Sequence, residues 1–218
     1  IIINNGNKTE LAFGYATLNG DMRGYYAPWM DAVKGEVYQL SDYMNRYIFK
    51  REVIPSEVIY SDDDDHLVPM DELTKDGMGN RADPFDYGLM RSDGTYTVGY
   101  HDAMVRSFME LRKEPEWFLQ AYKDGTLEKT MLLPEGKLAK LFPDVQGFLA
   151  DLEQKYKMFQ AGIHKRVQSI PGAHFSRSSV CWDFREFMPV VASYDFSEDL
   201  QMYYTQAYHE LKAALLAT

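Results

Sequence analysis

DVQGFLADLEQKYKMFQAGI, residues 144–163, is the stretch that decides the fold class. Val145, Leu152 and Phe159 fall seven apart, and so do Leu149, Tyr156 and Ile163. Two apolar rows at that spacing make one continuous stripe along a helix, of the coiled-coil seam type. Asp144 is a good helix cap. The pattern runs on to Val167, with Lys165 and Arg166 at the end where the helix dipole favours cations. A stripe this apolar needs a cover. The reading therefore predicts burial against another helix of the chain or against a second copy of it.

Working outward, the neighbours of this helix are helical too. Downstream, a loop through Ile170-Pro171-Gly172 precedes a last helix. There Ser197 is the candidate cap, and Leu200, Tyr204, Ala207, Tyr208, Leu211 and Leu215 share one face. Upstream, Pro134 and Pro143 bracket a short helix. Pro115 opens another that Gly125 stops, and Met104, Val105, Phe108, Met109 and Leu111 line a third. Before residue 100 the signals are mixed. Asn19-Gly20 between Leu11–Leu18 and Met22–Tyr26 predicts a hairpin, and Asp93-Gly94 between Leu89–Arg91 and Thr95–Val98 predicts a second. Trp29 to Phe49 has helical spacing, weakened by Gly35, and Val53 to Tyr60 reads as extended chain. No linker interrupts the 218 residues. The expectation is a single α+β domain over 1–218: N-terminal hairpins and helices (1–99), then a mainly helical C-terminal half (100–218).

The charge is concentrated. The chain carries a net −10. Residues 57–86 hold Glu57, Asp62, Asp63, Asp64, Asp65, Asp71, Glu72, Asp76, Asp83 and Asp86 against only Lys75 and Arg81. An acidic balance argues against broad nucleic-acid or anionic-membrane binding. Adjacent carboxylates face water, a cation or a basic partner. The single cysteine, Cys181, excludes an intrachain disulfide and fits a cytoplasmic or otherwise reducing compartment. Its surroundings lack a well-placed histidine, so it reads as an inert core thiol. No apolar run is long enough to span a bilayer. Asn7-Lys8-Thr9 matches a glycosylation sequon by chance. The absence of an initial Met is expected of a processed product, a fragment or an incompletely reported start.

Two readings of function follow. The leading one is a non-catalytic interaction or assembly protein, of the kind found as a phage or viral accessory or structural component. Its support is the aromatic and Met content, the apolar seam and the missing catalytic set. Asp62, Asp63, Asp64, Asp65, Asp71 and Glu72 would form the surface for a basic protein partner, with a homo-oligomer as a further expectation and no cofactor. The alternative is a metal-dependent phosphoryl-transfer enzyme. Val58-Ile59-Tyr60-Ser61-Asp62-Asp63 resembles the palm motif of RNA-dependent polymerases and reverse transcriptases. That resemblance implies Mg²⁺ or Mn²⁺ held by Asp62, Asp63, Asp83 and Asp86, with nucleic acid as substrate. Asp65-His66-Leu67-Val68-Pro69, followed by Asn80 and His101, is similar to the opening of an HNH nuclease. That implies His66 activating water, with Asn80 and His101 framing one metal ion.

Overall fold

The structure, a computed structural model, describes residues 1–17, 20, 22–62, 85–166, 169–176 and 204–217. It is helix-rich with one small antiparallel sheet, the α+β class expected from the sequence.

The chain enters through helix α1 (Lys8–Phe13). The Asn7 side chain accepts hydrogen bonds from the Thr9 and Glu10 amides, and the Glu10 carboxylate accepts one from the Asn7 amide. Gly14 closes the helix in the left-handed region at φ 66°. This reciprocal cap satisfies amides at the helix start that a strand would leave to pair elsewhere. The expected first hairpin is therefore wrong: its first strand is displaced by a helix, and 18, 19 and 21 lie outside the described residues. Tyr25 and Tyr26 instead pair with the N-terminal segment, through Tyr25 N to Ile2 O and Asn4 N to Tyr26 O.

Helix α2 (Lys34–Tyr43) runs on into a π-helical turn, Met44–Phe49. It starts five residues later than the apolar spacing suggested. Gly35 explains how it fits: a Cβ there would overlap the Tyr96 hydroxyl. Val53–Tyr60 is not a strand but a short 3₁₀ turn, Ser56–Val58, followed by a parallel bridge from Tyr60 to Met90. The second hairpin is where the sequence placed it. Strand β1 (Gly88–Met90) pairs with β2 (Tyr96–Val98), Leu89 opposite Thr97, and Gly94 takes φ 94° in the turn.

The remaining elements are helices: α3 (Tyr100–Met109), α4 (Pro115–Lys123), α5 (Leu127–Thr130), α6 (Lys137–Leu141), α7 (Val145–Ala161), α8 (Ile163–Arg166) and α9 (Gln206–Leu216). Pro115 is at the first turn of α4, and Asp144 caps α7 through the Gly147 amide. Thr205 caps α9; Ser197, the expected cap, lies outside the described residues. The seam on α7 is internal. Phe148, Leu149, Leu152, Tyr156 and Phe159 are buried against α1, α4 and α9. Phe108 of α3 brings its ring within 5.5 Å of Phe118, Tyr156 and Phe159. One apolar cluster runs from Leu11 to Leu215. Among the described residues, no helix is long and apolar enough to cross a membrane.

Candidate functional site

The polar groups of this molecule converge where the N-termini of α1 and α2 meet α3. Lys8, the first residue of α1, is 1% exposed. Its ammonium donates to Glu110 Oε1 at 2.9 Å and to Ser176 Oγ at 2.8 Å, with Asp31 Oδ1 at 3.8 Å. Asp31 is fully buried. Its Oδ2 accepts the amides of Phe175 and Ser176, and its Oδ1 accepts the Ser176 hydroxyl. A buried ammonium is tolerable only with such a complete set of partners.

One residue on, the Thr9 hydroxyl donates to Asp102 Oδ1 at 2.5 Å, while the Gly35 amide donates to Asp102 Oδ2 at 2.6 Å. Asp102 thus ties α1, α2 and α3 together. Burial pushes its pKa up to about 7, against the two hydrogen bonds that favour the carboxylate. At the rim, Lys34 Nζ stands 3.9 Å from Glu10 Oε1 and over the rings of Tyr87 and Tyr38, at 5.7 and 5.9 Å. Behind them Arg106 pairs with Glu36, whose other oxygen accepts the Val33 amide. Lys34 and Glu10 each keep 22% of their side-chain surface open. The corner therefore offers a ligand one ammonium and one carboxylate, on a buried base that includes the rings of Tyr38 and Tyr87.

Of the sequence-selected residues, the described ones lie outside this corner. Asp62 is exposed on the hairpin turn, its Oδ1 accepting the Ser92 amide at 2.9 Å, which lowers its pKa. Asp86 is buried beyond the other end of β1. It accepts the Gly88 and Tyr100 amides and pairs with Lys137 at 3.0 Å. His101 Nδ1 accepts the Asp86 amide at 2.6 Å, so its proton sits on Nε2, facing both Asp151 oxygens at 3.3 Å. Burial works to raise the pKa of Asp151, but the His101 hydrogen bond and the nearby Lys155 ammonium outweigh it and hold it low. Asp86 and His101 are thus joined through the Asp86 backbone while their side chains engage Lys137 and Asp151, and Asp62 is bonded apart from them at Ser92. Asp63, Asp64, Asp65, His66, Asp71, Glu72, Asn80, Asp83 and Cys181 lie outside the described residues. Among the described residues no group of three or more His, Cys, Asp or Glu side chains is placed to hold a metal ion.

Sequence reasoning passed over Lys8, Glu10, Asp31, Lys34 and Asp102. One signal was available. Asn7-x-x-Glu10 is a capping-box pattern, and it marks a helix start with a lysine inside the first turn. In the fold Asn7 is 2% exposed and caps α1.

With this geometry in view, the likenesses to other proteins follow. A family model described as NAD synthase matches residues 1–83, which include all of α1 and α2. The chain is 35% identical over 127 residues to the glutamine-dependent NAD(+) synthetase of Xanthomonas campestris, covering 54% of this chain and 22% of that protein. It is 44% identical over 59 residues to the enzyme of the same name from Acinetobacter baylyi, covering 27% and 11%. A crystal structure of a glutamine-dependent NAD(+) synthetase from Cytophaga hutchinsonii superposes on 98% of this chain and 26% of that one. Its TM-score is 0.51 and its identity 15%, a likeness of fold. The chain spans about a fifth of the length of the curated relatives it matches. These findings overturn the expectation of a non-catalytic interaction or assembly protein of phage or viral kind: the relatives are bacterial enzymes. They give no support to a nuclease or polymerase palm either. The chain is similar to glutamine-dependent NAD(+) synthetases over part of its length, and the NAD synthase likeness over residues 1–83 includes α1 and α2.

Proposed function

We propose that this chain is a segment of a glutamine-dependent NAD(+) synthetase, and that its α1–α2 corner helps bind the dinucleotide. The observation that carries this reading is coincidence of place. The NAD synthase match falls on residues 1–83, and those residues supply Lys8, Thr9, Glu10, Asp31 and Lys34 to one corner. The chemistry suits the ligand. A dinucleotide presents an anionic diphosphate, ribose hydroxyls and flat rings. Lys34 offers a cation and Glu10 an acceptor for hydroxyls. Lys8, Asp31 and Asp102 are too buried for contact and serve to hold the two helix starts at a fixed separation.

Calorimetric titration of the chain with NAD(+) tests this. Saturable binding is expected, with Lys34→Ala weakening it by about tenfold, the order of one charge-assisted contact. Lys34→Arg should retain most of the affinity, and Lys123→Ala, an exposed change on α4, should leave it unchanged. No binding by the wild-type chain, or equal binding by Lys34→Ala, overturns the assignment of the corner.

A further inference from the structure

At the far end of α2 the molecule carries a second feature, unconnected with the corner. The π-helical turn Met44–Phe49 closes with Lys50 in the left-handed region at φ 52°. The chain then doubles back around Asn45, which is 8% exposed. Asn45 Oδ1 accepts the Val53 and Ile54 amides at 3.0 Å, its Nδ2 donates to Ile54 O at 2.7 Å, and its carbonyl accepts the Arg51 amide at 3.2 Å. π-turns recur at functional sites, and a buried amide saturated with backbone bonds keeps this one rigid.

The loop so fixed walls an open hollow of about 670 Å³, lined by Arg46, Lys50, Arg51, Glu52, Tyr60 and Ser92, among others. That volume lies in the range of small-molecule sites, about 300–1,000 Å³. Of the nearby carboxylates, Asp42 stands behind the wall and is paired, while Glu52 lines the hollow and keeps its charge. Asp42 Oδ1 takes Arg46 Nε at 2.5 Å and the Tyr60 hydroxyl at 2.6 Å, and Glu52 Oε1 accepts its own loop's Ser56 amide at 2.8 Å. Arg46 also donates to Ser92 O at 2.6 Å. Lys50 and Arg51 are exposed and hold no ion pair or side-chain hydrogen bond among the described residues. A protein of net −10 thus places Arg46, Lys50 and Arg51 against the single lining carboxylate of Glu52 on the wall of a preformed hollow.

We propose that this hollow binds a diphosphate group, carried by free pyrophosphate or by a nucleoside diphosphate. Several cations around a space larger than one phosphate suit a doubly linked polyanion better than a single carboxylate. The arginine supplies the planar fork that phosphate oxygens accept, and the lysine a mobile point charge. Arg46 is held by Asp42 and Ser92, so it shapes the wall while Lys50 and Arg51 make the contacts.

The test is calorimetric titration of the chain with pyrophosphate and with ADP at low ionic strength, where exposed cations are least screened. The variant is Lys50→Asn with Arg51→Ala; asparagine tolerates the left-handed backbone, and neither lost side chain holds the fold. Binding of one equivalent is expected, weakened about tenfold or more in the double variant and unchanged in Lys123→Ala. Equal affinity for both ligands identifies the free anion as the occupant, and tighter ADP binding identifies the nucleotide. Absence of saturable binding, or equal loss in Lys123→Ala, overturns the proposal. Should the double variant lose its thermal transition, Arg51→Gln alone carries the same comparison. Because the α1–α2 corner is also read as taking a diphosphate, Lys34→Ala is titrated beside the double variant: loss in the double variant with Lys34→Ala unchanged assigns the anion to the hollow, and loss in Lys34→Ala alone assigns it to the corner and overturns this proposal.

Discussion

Asp102 is the residue whose chemistry reaches furthest through the fold, since its two oxygens hold the starts of α1 and α2. Burial raises its pKa to about 7 from an ordinary 3.8. The folded state therefore holds a proton that the unfolded chain has released between about pH 4 and 7. Its contribution to stability is fully present below pH 4 and is lost as pH rises to 7, a change on the order of a few kcal/mol. Asp102→Asn should flatten that part of the stability–pH curve, measured by urea melts at several pH values. An unchanged slope would show that Asp102 does not titrate in this window. The protonated form still finds partners, because the Thr9 hydroxyl is able to turn and accept. Gly35 belongs to the same scale. Alanine there meets the Tyr96 hydroxyl and Asp102 Oδ2, so a residue that lowers helix propensity is what lets α2 start beside β2.

At the scale of elements, α7 and α1 teach opposite lessons. The α7 seam was plain in the sequence because two rows at heptad spacing have one physical meaning, a buried helix stripe. Leu152 is fully buried at its centre. Leu152→Ala should cost about 2–5 kcal/mol in chemical denaturation, and Leu152→Asp should prevent folding. A stable, soluble Leu152→Asp chain would place the seam on the surface. In α1, the Asn19-Gly20 turn signal pointed to a hairpin, while the capping box at Asn7 and Glu10 pointed to a helix. The helix prevailed because Leu11, Ala12 and Phe13 on it pack into the core and Lys8 and Thr9 bond across to Glu110 and Asp102. The Asp93-Gly94 hairpin had no such competitor, and it formed as its turn chemistry requires.

Across the whole molecule, the apolar cluster joins residues on both sides of residue 100, and Lys8 reaches Glu110 and Ser176. We propose that the chain unfolds as one unit. A calorimetric melt should give a single transition, and two resolved transitions would divide the chain near residue 100. The concentrated acidity between 57 and 86 was the loudest feature of the sequence, and most of it lies outside the described residues. Of its described members, Asp62 caps a turn through Ser92 and Asp86 is a buried partner of Lys137. Charge density reports where carboxylates are numerous along the chain; it does not report which of them share a site.

The α+β class, the largely helical second half, the Asp93-Gly94 hairpin, the Asp144 cap and the helix start at Pro115 were legible in the amino-acid order alone, because each rests on a local period or a turn that few residues satisfy. Only the tertiary structure decided that the α7 seam is covered by α1, α4 and α9, that Asp31, Asp102 and Lys8 form one buried polar base, and that Lys50 and Arg51 face a common hollow. Those groups are separated by up to 168 positions along the chain, as Lys8 and Ser176 are. No local pattern encodes a contact between residues so far apart. It arises when packing of the apolar faces brings their neighbours within hydrogen-bonding reach.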